Sequence, residues 1–74
     1  MNIEHLVGMS NQIGHFFESM PDREQALLDI ALHLKKFWAP RMRHQLLDCV
    51  EREETPYMIP IVRKAVSIHA ALIR

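Results

Sequence analysis

The chain has little of what small folds use to hold themselves together. Cys49 is its single cysteine, so no internal disulfide is available, and a lone thiol suits a reducing compartment. Only two glycines, Gly8 and Gly14, occur in 74 residues, which leaves no glycine-rich phosphate loop. An excess of one charge is missing too. Nine basic side chains balance nine acidic ones, so the chain as a whole does not read as a nucleic-acid binder. No apolar run approaches the ~20 residues of a membrane span. Glu4 and His5 stand where a secretion signal would need a basic region and an apolar core. The expectation is a soluble, cytoplasmic protein.

Catalytic and metal-binding patterns are also absent. The five histidines form neither His-x-x-x-His nor His-x-His, and no Cys/His spacing resembles a zinc site. Cys49 falls on an apolar helix stripe, where a small buried hydrophobe is the usual role. Ser10 and Ser67 have no nucleophile motif around them, and His69, inside an apolar stripe, reads as a partly buried histidine rather than a ligand. No catalytic, cofactor-binding or metal-binding residue is assigned, and an enzyme is not expected from this chain alone.

What is present is apolar surface. Hydrophobic residues make up 49% of the chain, although a domain this small buries only about 60% of its unfolded surface and its core rarely supplies more than ~3–5 kcal/mol. The surplus points to contact with another chain. The periodicity is helical throughout, predicting an all-α, compact bundle of three to four short helices in one domain over 1–74, at about 2–18, 21–38, 40–51 and 60–73. Ile3, Leu6, Val7, Ser10, Ile13, Gly14 and Phe17 form the first stripe. Gly14 on it is suited to close helix approach. Ser19-x-x-Asp22 has the form of a capping box for the second helix, whose stripe is Leu27, Ile30, Ala31, Leu34, Phe37 and Trp38. Pro40 and Pro60 open the third and fourth helices. Leu28 and Leu32 lie off the main stripe of the second helix, as Met9 and Phe16 do on the first and Leu47 on the third.

The string Lys35-Lys36-Phe37-Trp38-Ala39-Pro40-Arg41-Met42-Arg43-His44 departs most from local rules. It holds the only tryptophan and four of the nine Lys and Arg residues. No acidic residue lies between Asp29 and Asp48, so none of these cations has a helical i±3 or i±4 carboxylate. Arg41 and Arg43 follow the helix-opening Pro40, and cations in a first turn oppose the positive end of the helix dipole. Two explanations stay open. In one, the cations pair with Glu18, Asp22 or the Glu51–Glu54 run, and Phe37 and Trp38 are core aromatics. In the other, Lys35, Lys36, Arg41 and Arg43 form a docking patch, with Trp and Arg as anchors of the kind that dominate interfaces.

A family resemblance is carried by Asn11-Gln12-Ile13, Phe16-Phe17, Pro21-Asp22, Ile30-Ala31-x-His33-Leu34 and Phe37-Trp38-x-Pro40-Arg41-Met42-Arg43. Together these resemble the small delta subunit of NAD-dependent, molybdenum-containing formate dehydrogenase, in register over about residues 1–50 and more loosely through Pro60-x-Val62-x-x-Ala65. The Phe-Trp-x-Pro-Arg-Met-Arg string is its specific part. Members often carry a glycine in the loop before the last helix, where this chain has Glu53-Glu54-Thr55-Pro56.

The resemblance implies a non-catalytic accessory that docks on the large catalytic subunit and supports assembly, stability or cofactor insertion and retention. The complex so implied carries molybdenum bis-pterin guanine dinucleotide, iron–sulfur clusters, flavin and NAD, none held by this chain. By the same account Phe37, Trp38 and Met42 anchor in the large subunit and Arg41 and Arg43 meet its carboxylates or the cofactor phosphates. Lys35 and Lys36 extend the patch, and Asn11 and Gln12 hydrogen-bond partner backbone. Reversing Arg41 and Arg43 together is then expected to leave the fold intact and weaken association. The alternatives are a stand-alone helical homo-oligomer, with self-association of the isolated chain, and a small nucleic-acid-binding helical module. No membrane partner is expected.

Overall fold

The Asn2 side-chain oxygen accepts the His5 amide at 3.2 Å, capping the first free amides of a helix. A computed structural model describes residues 2–74, so residue 1 of the expected domain lies outside it. The capped helix is α1 (Ile3–Phe17). The second, α2 (Arg23–Phe37), starts two residues later than the sequence suggests, and its cap differs. Asp22, not Ser19, accepts the Gln25 amide, at 3.2 Å. Ser19 stays exposed in the turn that the Met20 amide closes onto the Phe17 carbonyl. The nearer carboxylate takes the cap because it is also favoured by the helix dipole.

Pro40 opens α3 (Pro40–Glu51) as its spacing predicts. The helix ends in a Schellman arrangement, with the Glu54 amide on the Cys49 carbonyl at 2.9 Å and the Glu53 amide on the Val50 carbonyl at 3.1 Å. Glu53 takes the left-handed position, φ 59°, that glycine normally fills. The loop beyond it contains a second left-handed residue, Tyr57, φ 65°.

The predicted last helix is divided. It forms α4 (Pro60–Ile68) and a single further turn, α5 (Ala70–Ile73), separated by His69 at φ −105°, ψ 27°. Neither proline nor glycine marks this break. Its cause is tertiary: α5 packs on α2, Ile73 becomes fully buried, and the Ile73 carbonyl accepts a hydrogen bond from Arg43. His69 is half-buried at the break rather than inside a continuous stripe.

α2 is packed by α1, α4 and α5, and α4 by α1, α2, α3 and α5. Leu6, Ile30, Leu34, Leu46, Val62, Val66 and Ile73 lie at the centre with essentially no exposed surface. The radius of gyration, 10.9 Å, matches the ~11 Å of a fully compact chain this long. Gly14 permits a close crossing of α1 and α4. A Cβ there would stand 2.5 Å from Val62 Cγ2 and 2.8 Å from Ile59 Cδ1, so only glycine lets α1 and α4 approach this far. Gly8, one face away, has nothing within 4 Å of the same position.

Candidate functional site at the corner between α2 and α3

Ala39, extended at φ −62° and ψ 149°, is biased out of the helical region by the proline that follows it. The turn it makes divides the aromatic–cation string into an inner and an outer set. Trp38 points inward and is 7% exposed; Phe37, one residue earlier, is 65% exposed. Arg43 is 8% exposed, whereas Arg41 is on the surface.

Arg43 is employed inside the fold. Its Nε donates to the Ile73 carbonyl at 2.8 Å and its Nη1 to the Trp38 carbonyl at 2.7 Å. Both carbonyls belong to helix C-terminal ends, those of α5 and α2, where cations and donors are favoured. A residue that opposes the dipole of its own helix thus serves the dipoles of two others. Arg43 therefore does not share an outward patch with Arg41, and reversing the two together is expected to disturb the fold as well as any association. A carboxylate at position 43 would face two carbonyls in a buried site. Trp38 is likewise a core residue and is not available on the surface.

Asn11 is also committed internally. Its Nδ2 donates to the Tyr57 carbonyl at 2.7 Å, and its Oδ1 accepts the Ile59 amide at 3.0 Å. Ile59 is the residue that caps α4, so one amide side chain fixes both the loop and the start of that helix. Here too an expected partner contact is made to backbone of the same chain. Gln12, next to it, is exposed, and Met42 is half-buried against the core.

The residues left facing outward are Lys35, Lys36, Phe37 and Arg41. Ion pairing within the chain does not account for them. Among the described residues the ion pairs are His15–Glu18 at 3.2 Å and Arg52–Asp48 at 3.3 Å; neither involves this corner. Lys35 and Lys36 do have a local reason, since they occupy the last turn of α2, where positive charge is favoured. Arg41 has none. It stands in a first turn with no acidic residue in that turn.

Phe37 ends a row of rings that sequence periodicity did not reveal, because the row crosses between helices. Phe16 and Phe17 of α1 meet edge-on with centroids 4.9 Å apart, Phe17 lies 6.2 Å from His33 of α2, and His33 lies 4.7 Å from Phe37. Lys36 Nζ sits 5.4 Å from the Phe37 centroid, within cation–π range. Phe16, at the other end, is 76% exposed. The sequence signal was the pair Phe16-Phe17, whose second member must turn inward if the first turns out. Tyr57, 87% exposed and set between buried Thr55 and Met58, was not singled out by any spacing.

Among the described residues no cluster of three or more His, Cys, Asp or Glu side chains is placed to hold a metal ion. The Cys49 thiol is buried, and burial, with the Asp48 and Glu54 carboxylates, pushes its pKa above the ordinary 9.0 against the smaller opposing pull of Arg52. A thiol held protonated is a poor ligand and nucleophile. Because the unfolded thiol ionises first, the fold loses stability as pH rises past 9.0. No described helix is long and apolar enough to cross a membrane.

A corner of exposed Phe and uncompensated cations, held by an internal Arg–carbonyl clamp, belongs to a string with a known counterpart. The family model of the NADH-dependent formate dehydrogenase delta subunit, FdsD, matches residues 5–66. The chain belongs to this delta-subunit family. The match takes in α1 from His5 onward, α2, α3 and the first seven residues of α4, and it stops before the break at His69. No curated protein and no solved structure matches the chain. Membership makes the chain a formate dehydrogenase delta subunit and implies catalytic subunits as its partners.

Proposed function

We propose that this delta subunit is a non-catalytic member of its formate dehydrogenase complex, and that it docks on the large catalytic subunit through the outer side of the α2–α3 corner. Phe37 supplies the apolar anchor, and Arg41, Lys35 and Lys36 meet carboxylates of the partner. Gln12 and the exposed edge of Met42 lie on the borders of the contact. The observation that carries this reading is Arg41: an exposed guanidinium in a helix first turn, with no carboxylate within 4.0 Å among the described residues. Such a group is unfavourable in the free chain and becomes favourable when a partner carboxylate accepts its forked donors. Trp38 and Arg43 contribute by holding the corner rigid, which lowers the ordering cost of association.

By this reading the molybdenum cofactor, iron–sulfur clusters, flavin and NAD of the complex are held by the other subunits; among the described residues no cluster of three or more His, Cys, Asp or Glu side chains is placed to hold a metal ion. Support of assembly, or of cofactor insertion and retention, is then indirect: the docked subunit covers and stabilises part of the large subunit. The protein acts in the cytoplasm, where a free thiol stays reduced.

The test is capture of the large catalytic subunit by tagged chain during co-expression, with molybdenum measured in the captured material. Stoichiometric capture is expected from the unmodified chain. Phe37→Ala with Arg41→Glu is expected to reduce capture at least about tenfold, which corresponds to ~1.4 kcal/mol, with helical content unchanged. Undiminished capture by this variant overturns the docking surface.

A further inference from the structure

The solvent-facing side of α2 has a pattern that shares only Lys36 with the docking corner. At 100° per residue, Gln25, Asp29, Leu32 and Lys36 fall within an arc of about 60°, opposite the buried stripe of Ala26, Leu27, Ile30, Ala31 and Leu34. This outer line has an acid near its start, an apolar residue at its middle and a cation near its end. Leu32 is 44% exposed, and on the flank toward α4 and α5 stand Ile68 at 55% and Leu72 at 37%. An amphipathic helix places mainly charged and polar residues on the face opposite its apolar stripe. Asp29 accepts a hydrogen bond from Gln25 Nε2 at 2.8 Å and has no cation within 4.0 Å among the described residues; Lys36 likewise has no carboxylate.

We infer that a second copy of this chain covers that face, with the two α2 helices antiparallel and the dyad passing beside Leu32. The charge order dictates the direction. Asp29 and Lys36 stand seven residues apart on the same side of the line, so a twofold axis midway between them sets each Asp29 against the other copy's Lys36. It brings the two Leu32 side chains together at the centre. A parallel pairing would instead set Asp29 against Asp29 and Lys36 against Lys36. Antiparallel alignment also opposes the two helix dipoles favourably, and a C2 contact of this kind is self-complementary by construction. Ile68 and Leu72 extend the apolar area on one flank.

The inference is separable from docking on the large subunit through Leu32 and Asp29, which lie outside the docking set; Lys36 is shared by the two surfaces. Sedimentation equilibrium of the isolated full chain tests it at low salt over about 1–100 µM, a range spanning weak to moderate self-association. A monomer–dimer equilibrium is expected. Leu32→Glu, at an exposed position, is expected to abolish the dimer while leaving helical content and capture of the large subunit unchanged. Asp29→Lys and Lys36→Asp are each expected to weaken dimerisation about threefold to tenfold, the scale of an exposed ion pair, and the double reversal to restore it. A monomer throughout the range overturns the inference, as does a dimer indifferent to Leu32→Glu. Failure of the double reversal to restore binding overturns the antiparallel register.

Discussion

Arg41 and Arg43 are the same residue type two positions apart, in the first turn of one helix, yet they have opposite roles. Arg43 is buried with donors on the ends of α2 and α5, and Arg41 is exposed with no ion-pair partner among the described residues. Trp38 and Phe37 divide in the same way, as do Asn11 and Gln12, and Gly14 and Gly8. Residue type does not separate the members of these pairs. Position does: one step along a helix turns a side chain by ~100°, and Trp38, extended at ψ 139°, is turned inward at the corner where α2 ends. The inner members hold the elements in place, and the outer members are what another molecule can meet.

The arginine pair gives the largest expected difference. Replacing Arg43 by leucine leaves two helix-terminal carbonyls without a donor in a buried site. Each charge-assisted bond is worth about 1.5–3 kcal/mol, and orphaned acceptors add to the loss. Arg43→Leu should therefore cost about 3 kcal/mol, enough to unfold much of a domain this small. Arg41→Leu should change stability by less than about 0.5 kcal/mol, as exposed substitutions usually do. Urea unfolding followed by circular dichroism reads both. Equal effects would show that the Arg43 clamp is dispensable.

The glycines should differ in sign as well as size. Gly14→Ala places a methyl group against Val62 and Ile59 at distances that force α1 and α4 apart, and overpacking of that kind costs about 1–3 kcal/mol. Gly8→Ala meets open space in mid-helix and should stabilise by about 0.5–1 kcal/mol, the helix penalty of glycine relieved. Thermal unfolding of the two single variants checks the pair: a fall in Tm at position 14 and a rise at position 8.

These pairs also show what could be read in the sequence. Period and proline placement were enough for the helical class, for Gly14 as a close-approach position and for the starts of α3 and α4, since each rests on local geometry. Cys49 as a buried hydrophobe was legible for the same reason. The role of Arg43 was not, because its acceptors at Trp38 and Ile73 come together only when α5 folds back on α2. The break at His69 has the same origin: no local residue demands it, and the reward lies in burying Ile73 and capping its carbonyl. The ring row from Phe16 to Phe37 crosses two helices, so no single-helix periodicity contains it. Within the candidate site, the string itself was recognisable, and its division into inner and outer halves required the turn at Ala39 to be seen in three dimensions.

The smallest expected contrast is between Asn11 and Gln12. Asn11→Ala removes one donor and one acceptor from the segment before α4, leaving the Tyr57 carbonyl and the Ile59 amide without their side-chain partner. Loss of a helix-capping contact typically costs ~1 kcal/mol. The loop also holds Tyr57 in a left-handed conformation, and releasing it returns part of that strain, ~1–2 kcal/mol for a side chain with a Cβ. The net loss should therefore be about 1 kcal/mol or less, while amide exchange at Tyr57, Met58 and Ile59 accelerates well beyond that of the remaining core. Gln12→Ala should leave both stability and exchange unchanged. If exchange in the 57–59 segment does not respond to Asn11→Ala, the loop is held by the burial of Thr55 and Met58 alone, and the Asn11 side chain is free to meet a partner after all.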